Sequence, residues 1–102
     1  MEKNRKIDFS IGIFDEISEN IKEKIKQESS NCEFYGVGVY TDEVVINEYM
    51  TYPTRKIEER MQLVKQIEGV DFVFQVNTTD AKEIKRIVEK ECIEILKINN
   101  DM

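Results

Sequence analysis

The sequence predicts an α/β fold built on a parallel sheet, and three features of its pattern lead to this prediction. Apolar residues alternate with small or polar ones from Ile7 to Ile13, which is typical of a strand. From Ile17 they recur every fourth residue, which is typical of a helix. The same change from strand to helix occurs twice more along the chain. Strands that alternate with helices in this way form βαβ crossovers, which join parallel strands.

The individual elements follow from periodicity and from residues typical of helix ends. Thr54 is a candidate N-cap, Gly69 supplies a glycine stop, and Asp80 with Glu83 fits a capping box. The resulting assignment is a strand over Ile7–Phe14, a helix over Ser18–Gln27, a strand over Phe34–Tyr40, a helix between Thr54 and Gly69, a strand over Val70–Val76, and a helix from Asp80 with Ile84, Ile87 and Val88 on its inner face.

Three stretches need separate treatment. Gly36 and Gly38 share one face of their strand, which predicts that a neighbouring helix approaches it closely. Thr41–Pro53 is the least regular part, and its apolar content predicts either a loop folded over the sheet edge or a contact with a partner. The tail Ile93–Ile98 fits either a continued helix or a fourth strand.

Composition excludes several functions. The chain has 102 residues, a net charge of −6 and no histidine. Without histidine there is no Ser-His-Asp or Cys-His nucleophile system and no His-ligated zinc. The negative charge argues against nucleic acid as a partner. No apolar run approaches the roughly 20 residues that a membrane-spanning helix needs, and no signal-type segment follows the N-terminus, so we expect a cytoplasmic protein without a membrane partner.

In a parallel sheet, ligand sites lie beyond the carboxyl ends of the strands. This rule places 15–20, 41–43 and 75–78 around one crevice. The turn before the first helix has the form of a phosphate site, but it carries Asp15, Glu16 and Glu19 and no cation. These acids complement the helix dipole and occupy the place of a bound anion.

The chain resembles the small cytidylyltransferases, which activate glycerol 3-phosphate or choline phosphate with CTP. Residues 12–15 read Gly-Ile-Phe-Asp and look like that family's opening Gly-x-Phe-Asp. Residues 37–43 are similar to its Val-Gly-Val-Ser-Thr-Asp-Glu, with Tyr40 in place of serine. Glu59-Arg60 and the segment 70–73 are similar to two later family segments. The resemblance runs from Ile7 to Asp101 and favours a strand for the tail.

The resemblance implies a Rossmann-like three-layer α/β/α sandwich with about four parallel strands in the order βαβαβαβ, as a single domain over residues 1–102. It also implies a homodimer, because the family dimerises. We expect no cofactor. If a nucleotide site survives, the resemblance implies that it takes CTP with Mg²⁺, and the counterparts in this chain define its candidate cofactor-binding set: Gly12, Phe14, Asp15, Ser18, Thr41, Asp42 and Arg60.

The chain differs from the family at the residues that bind the phosphates. The family's His-x-Gly-His, which contacts the phosphates, is replaced by Ser18, Glu19, Asn20 and Ile21. No Lys or Arg occurs between Thr41 and Thr54, where the family has lysines, and its Arg-x-x-Gly-Ile-Ser-Thr-Thr signature has no counterpart here. Because three phosphate-binding elements are missing together, we predict that the domain is catalytically degenerate, with no catalytic residue and no metal site.

Three functions stay open at this point. The first is binding or assembly, with Tyr49, Met50 and Tyr52 as the contact surface for a protein partner. The second is an active nucleotidyltransferase with an altered site, in which Asp15 or Asp42 holds Mg²⁺. The third is a nucleotide sensor. Each candidate residue also has a structural interpretation: helix capping for Asp15 and Ser18, an ion pair with a glutamate for Arg60, and a strand-ending turn for Thr41–Glu43.

Overall fold

The computed structural model describes residues 7–100, with side chains for residues 7–94. Three strands and four helices are present in that part of the chain. Their bounds are β1 (Ile7–Gly12), α1 (Glu19–Ser29), β2 (Phe34–Tyr40), α2 (Asp42–Tyr49), α3 (Ile57–Lys65), β3 (Phe72–Val76) and α4 (Ala81–Asn100).

The strands form one parallel sheet in the order β1-β2-β3. Ile7 stands opposite Phe34 at the start of the first pair, and Gly36 stands opposite Phe72 in the second. Because all three strands run the same way, their carboxyl ends meet at one edge of the sheet. The predicted α/β class and the parallel sheet are therefore confirmed.

Helices cover the sheet on both faces. On one face, Val37 and Val39 of β2 form a core with Ile25 of α1 and Val64 of α3. On the other face, the core consists of Phe74 and Val76 of β3 with Val88 of α4, packed against Ile84 and Ile87. This arrangement is the predicted three-layer sandwich. The near-continuous apolar run of β3 follows from burial on both faces.

The paired glycines of β2 serve a different purpose from the one predicted. A Cβ atom on Gly36 would lie 2.3 Å from the ring of Phe72, and one on Gly38 would lie 2.8 Å from Val76 and 2.9 Å from the ring of Phe74. The two phenylalanine rings stack with their centroids 5.9 Å apart. Side chains of the adjacent strand, and not an approaching helix, therefore fill the space that the glycines leave.

The segment after β2 corrects the prediction of an irregular Thr41–Pro53. It forms helix α2, with Thr41 as its N-cap and Met50 as a left-handed C-cap at φ 56°. Val44 and Val45 are buried, so the apolar character of this segment belongs to a helix face. Within this segment, large apolar side chains reach the surface at the last helical residue, Tyr49, and in the turn that follows it, at Met50 and Tyr52.

The tail is a helix, and the predicted fourth strand is wrong. Helix α4 continues without a break from Ala81 to Asn100, because no glycine or proline interrupts it. Asp80 caps its first turn by accepting the Lys82 amide at 2.9 Å. The capping box is incomplete, since Glu83 pairs with Arg86 instead. The last two residues, including Asp101 at the end of the resemblance, lie outside the described part.

Helix α3 begins and ends inside its predicted limits. Its N-cap is Lys56 and not Thr54, whose amide is bound elsewhere. Its C-cap is Gln66, so Gly69 lies in the turn before β3 and is not the residue that stops the helix. That turn nevertheless requires glycine, because Gly69 has φ +99° and a Cβ there would lie 2.2 Å from the Ser29 hydroxyl.

Candidate functional site

The carboxyl ends of the strands form what we call the strand-end rim, residues 12–15, 40–42 and 76–78. The amide of Thr41 donates to the Val76 carbonyl at 3.0 Å and joins the last two of these segments. The rim contains most of the predicted cofactor-binding residues. Its geometry therefore decides what those residues are free to bind.

Arg60 of α3 lies at the centre of the contacts that hold the rim together. It extends from α3 beneath the strand ends and is 0% exposed, although it carries a charge. Its Nη1 donates to the carbonyls of Ile13 and Tyr40, both at 2.8 Å. Its Nε donates to the Arg55 carbonyl at 2.9 Å, and its Nη2 donates to Asp42 Oδ1 at 2.5 Å. The guanidinium thus ties the ends of β1 and β2 to the start of α2 and to the segment before α3.

Burial of a charge is costly unless its hydrogen bonds are made inside the protein. The planar guanidinium offers five donors in a fixed fork, which suits a site that needs several acceptors at once. No buried side-chain nitrogen or oxygen lacks a partner in the part of the chain that the structure describes. The ion pair predicted for Arg60 is therefore present, but its partner is Asp42 and not a glutamate.

Asp15 holds a second set of contacts beside Arg60. Its Oδ2 accepts the Thr54 amide at 2.7 Å and its Oδ1 accepts the Arg55 amide at 2.8 Å. The Arg55 guanidinium in turn donates to the Asp15 carbonyl at 2.6 Å. These amides, first that of Thr54, lower the pKa of the Asp15 carboxyl below its ordinary 3.8. Asp15 therefore anchors residues 54–55 and does not cap α1.

Ser18 and Thr41 are helix N-caps. The Ser18 hydroxyl accepts the Ile21 amide at 3.2 Å, which confirms its predicted capping role. The Thr41 hydroxyl accepts the Val44 amide at 3.4 Å, so Thr41–Glu43 begins a helix where a simple turn was predicted. Both hydroxyls supply an acceptor to amides that the helix itself leaves unpaired.

Gly12 and Phe14 shape the chain as it leaves β1. Phe14 has φ 55°, a left-handed conformation that is uncommon outside glycine. Its ring lies over Gly12, where a Cβ would come within 3.0 Å of it. The backbone therefore turns sharply after β1 and presents the Ile13 carbonyl to Arg60.

The structure brings only part of the predicted set together. Arg60 and Asp42 are in direct contact, and Arg60 also reaches the main chain between Gly12 and Phe14. Asp15 is linked to Arg60 through residue 55. Sequence reasoning missed Thr54 and Arg55 as members of the site. Thr54 acts through its main-chain amide, which leaves no trace in side-chain identity, and the guanidinium of Arg55 meets a main-chain carbonyl that no sequence pattern marks.

A groove of about 760 Å³ lies between α1 and α3, next to Ser18 and Arg55. Its walls carry the cations Lys22, Lys26 and Arg55 together with the acids Glu16, Glu23 and Glu68. Lys26 and Glu68 pair at 3.5 Å, and Lys22 pairs with Glu19 at 3.4 Å. The groove therefore has no dominant sign of charge.

Within residues 7–94, no three or more His, Cys, Asp or Glu side chains come together to hold a metal ion. Among the helices described, none combines the length and apolar character needed to cross a membrane.

Comparison with known proteins supports the fold. No protein-family model matches the chain, and no curated protein matches it. The crystal structure of a lipopolysaccharide core biosynthesis protein from Thermoplasma volcanium GSS1 is similar, with a TM-score of 0.69 and 19% sequence identity. The match covers 81% of this chain, which spans 66% of that chain's length. At this level of identity the likeness shows a shared Rossmann-like α/β fold.

Proposed function

We propose that this chain is a non-catalytic domain of the cytidylyltransferase-like type, which acts through binding or assembly. The observation that carries the proposal is that Arg60 is buried and has all its hydrogen-bond partners within the chain. In the intact site a cation near the strand ends would face a phosphate, whereas here the guanidinium is buried and bonded to three carbonyls and to Asp42. A nucleotide would have to displace these contacts to use it.

The charges around the rim favour the same proposal. Asp15 and Asp42 contribute carboxylates, and Glu19 stands in the first turn of α1, where a phosphate would sit. The cations beside these acids already have partners, because Arg60 pairs with Asp42, Lys22 pairs with Glu19, and the Arg55 guanidinium donates to the Asp15 carbonyl. The residues of the rim therefore do not fit a triphosphate, and we derive no catalytic step through one.

The sequence supplies the chemical part of the proposal. Ser18 and Ile21 stand where the resembled family has its two histidines. Charge-stabilising contacts of that kind contribute about 3 kcal/mol each to the transition state. Loss of both would slow nucleotidyl transfer by several powers of ten. Ser18 is in addition occupied by its own helix, since its hydroxyl accepts the Ile21 amide.

We assign the binding role to what we call the aromatic turn, Tyr49, Met50 and Tyr52. These side chains are 49%, 87% and 80% exposed, and they lie at the end of α2 and just after it. Exposed Tyr and Met are enriched at protein interfaces, where they supply large contact areas. We propose a protein partner at this turn and, separately, a homodimer.

A ligand screen tests the non-catalytic assignment. We expect no change in melting temperature when CTP, CDP, CMP or a CDP-alcohol is added with Mg²⁺. A ligand that binds only the folded state would raise stability by about 2.7 kcal/mol at a hundredfold excess over its Kd. A clear shift with any nucleotide would favour the sensor instead.

A turnover assay separates the sensor from the enzyme. The chain is incubated with CTP, Mg²⁺ and glycerol 3-phosphate or choline phosphate, and pyrophosphate is measured. We expect release no faster than in a protein-free sample or in a matched sample of the Asp42→Asn variant, which removes one of the two carboxylates that could hold Mg²⁺. Release above that of the variant and above the protein-free background would overturn the proposal.

A further inference from the structure

The outer edge of β1 is unpaired in the part of the chain that the structure describes. Strand β1 pairs with β2 on one side, and none of residues 7–100 adds a strand on the other. Alternate residues of a strand direct their N–H and C=O groups to opposite sides. Half of the main-chain polar groups of β1 therefore lie along an open edge. Such an edge is a template for another strand.

The side chains of β1 show that one face of this edge is apolar and incompletely covered. Phe9 and Ile11 stand opposite Gly36 and Gly38, so they lie on the face that α4 covers. Ile11 packs against the core on that face, but Phe9 is 39% exposed. On the opposite face, the Ser10 hydroxyl is already engaged by the Tyr35 hydroxyl at 2.5 Å. The apolar row along this edge is thus Ile7, Phe9 and Ile11, and Phe9 at its centre is the most exposed of the three.

One hydrogen bond indicates which main-chain groups point outward. The Phe9 amide donates to Asp8 Oδ1 at 3.1 Å, a contact made by the neighbouring side chain and not by β2. Phe9 therefore belongs to the set whose main-chain groups face the open edge, and by alternation so do Ile7 and Ile11. The same three residues supply both the open main-chain groups and the apolar row.

We propose that the outer edge of β1 is the interface with a second copy of this chain, paired antiparallel and centred on Phe9. In this register Phe9 faces Phe9 of the second copy, and Ile7 faces Ile11. The outward main-chain groups of one β1 then face those of the other, and the apolar side chains of both strands lie on the same face of the sheet. Asp8 stands opposite Ser10, so no like charges face each other. The result is a continuous six-stranded sheet.

Self-complementarity is the reason to choose a second copy over an unrelated strand. A partner strand must present main-chain groups at the spacing of the open amides and an apolar row on the same face. It must also place no acid opposite Asp8. A second copy of β1 meets all of these conditions. The Phe9 amide exchanges its bond to Asp8 for one to a carbonyl of the second copy. Association is therefore reversible and depends on concentration. This inference rests on the assembly part of the proposed function and locates it.

Sedimentation velocity of the 102-residue chain tests the interface, from low to high micromolar concentration. We expect the mass to rise from 12.1 kDa to twice that value. Phe9→Lys puts like charges opposite each other at the centre of the register, and we expect it to remain a monomer throughout. Ile93→Lys and Tyr52→Lys change large side chains elsewhere that are more exposed than Phe9, and we expect both variants to dimerise as the parent does.

Hydrogen exchange keeps the test decisive if Phe9→Lys fails to fold. In the parent chain, the amides of Ile7, Phe9 and Ile11 should gain protection as concentration rises, while those of the aromatic turn should not. A parent chain that stays monomeric, or a Phe9→Lys variant that folds and dimerises, would overturn the inference. Dimerisation abolished by Tyr52→Lys alone would also overturn it, yet leave the proposed assembly function standing. The nucleotide screen is independent of all these outcomes.

Discussion

The strand-end rim and the outer edge of β1 are both places where main-chain polar groups have no partner within the sheet. The two places differ in which groups of the protein bind them. At the rim, Arg60 and Asp15 reach into the backbone and bond carbonyls and amides from three segments. At the outer edge, the Phe9 amide donates to the side chain of Asp8, its neighbour in sequence. A fold of this kind binds ligands at the rim. Here the rim is closed by contacts within the chain itself, whereas the outer edge is the surface that we propose receives a second copy.

The largest test of this comparison removes the Arg60 contacts. Arg60→Met leaves three carbonyls and the Asp42 carboxylate without their donor, so we expect the free energy of unfolding to fall by about 3–5 kcal/mol. Arg86→Met is the matched control, because Arg86 forms a surface pair with Glu83, and we expect a change below about 1 kcal/mol. Urea denaturation measures both. Equal, small losses would mean that the rim is held by something other than Arg60.

The next test addresses the sheet between the two regions. Gly36→Ala forces a Cβ against the Phe72 ring, so we expect a loss of about 1–3 kcal/mol in the free energy of unfolding. Phe72→Leu in the same chain should recover part of that loss, because the ring is the obstacle. Gly12→Ala is the control, since it meets only the edge of the Phe14 ring at 3.0 Å. A loss unaffected by Phe72→Leu would contradict the packing described for β2 and β3.

Asp15→Asn provides a smaller test with a defined pH dependence. The amide side chain keeps one acceptor but loses the charge, so we expect a loss of about 1–2 kcal/mol at neutral pH. Because the folded-state pKa of Asp15 is lowered, its contribution is complete above its ordinary pKa of 3.8. That contribution disappears as the pH falls through the lower folded-state value.

Denaturation at a series of pH values checks the sign of this effect. The difference between parent and Asp15→Asn should be constant from neutral pH down to the ordinary carboxyl value and should shrink below it. A difference that grows as the solution becomes more acidic would show that the Thr54 and Arg55 amides do not stabilise the ionised form.

The smallest expected effect on stability lies at the aromatic turn. Tyr52→Ser removes a side chain that is 80% exposed, so the free energy of unfolding should change by no more than about 0.5 kcal/mol. Binding to a partner at this turn should nevertheless weaken, because exposed tyrosines contribute through contact area. Thermal denaturation and a binding titration with the partner measure the two effects separately. A large loss of stability would show that the turn belongs to the core.

Much of the fold could be predicted from periodicity, and the errors have physical causes. Strand β2 has its predicted bounds, because a short apolar run between polar clusters leaves little choice. Helix α2 was missed because Val44, Val45 and Ile46 form a continuous run without helical spacing. Thr41 followed by two acids was the signal that could have found it. The tail was assigned to a strand by resemblance, against the lack of any helix breaker.

The candidate site was less accessible to sequence reasoning. Ser18 could be identified as a cap because capping depends on side-chain type and position. The surroundings of Arg60 could not, since its acceptors are carbonyls of Ile13, Tyr40 and Arg55, which any residue would supply. The pairing with Asp42 depends on the path of α2, the element that the sequence prediction lacked. Whether the seven predicted residues bind a cofactor stays a prediction.

The reliance of Arg60 on carbonyl oxygens has a consequence for how this domain tolerates change. Three of its four acceptors belong to the backbone, so substitutions at Ile13, Tyr40 or Arg55 would alter the side chain and leave the acceptor in place. Only Asp42 has to keep its identity for the ion pair to form. Most single substitutions around Arg60 should therefore leave its hydrogen bonds to the strand ends intact.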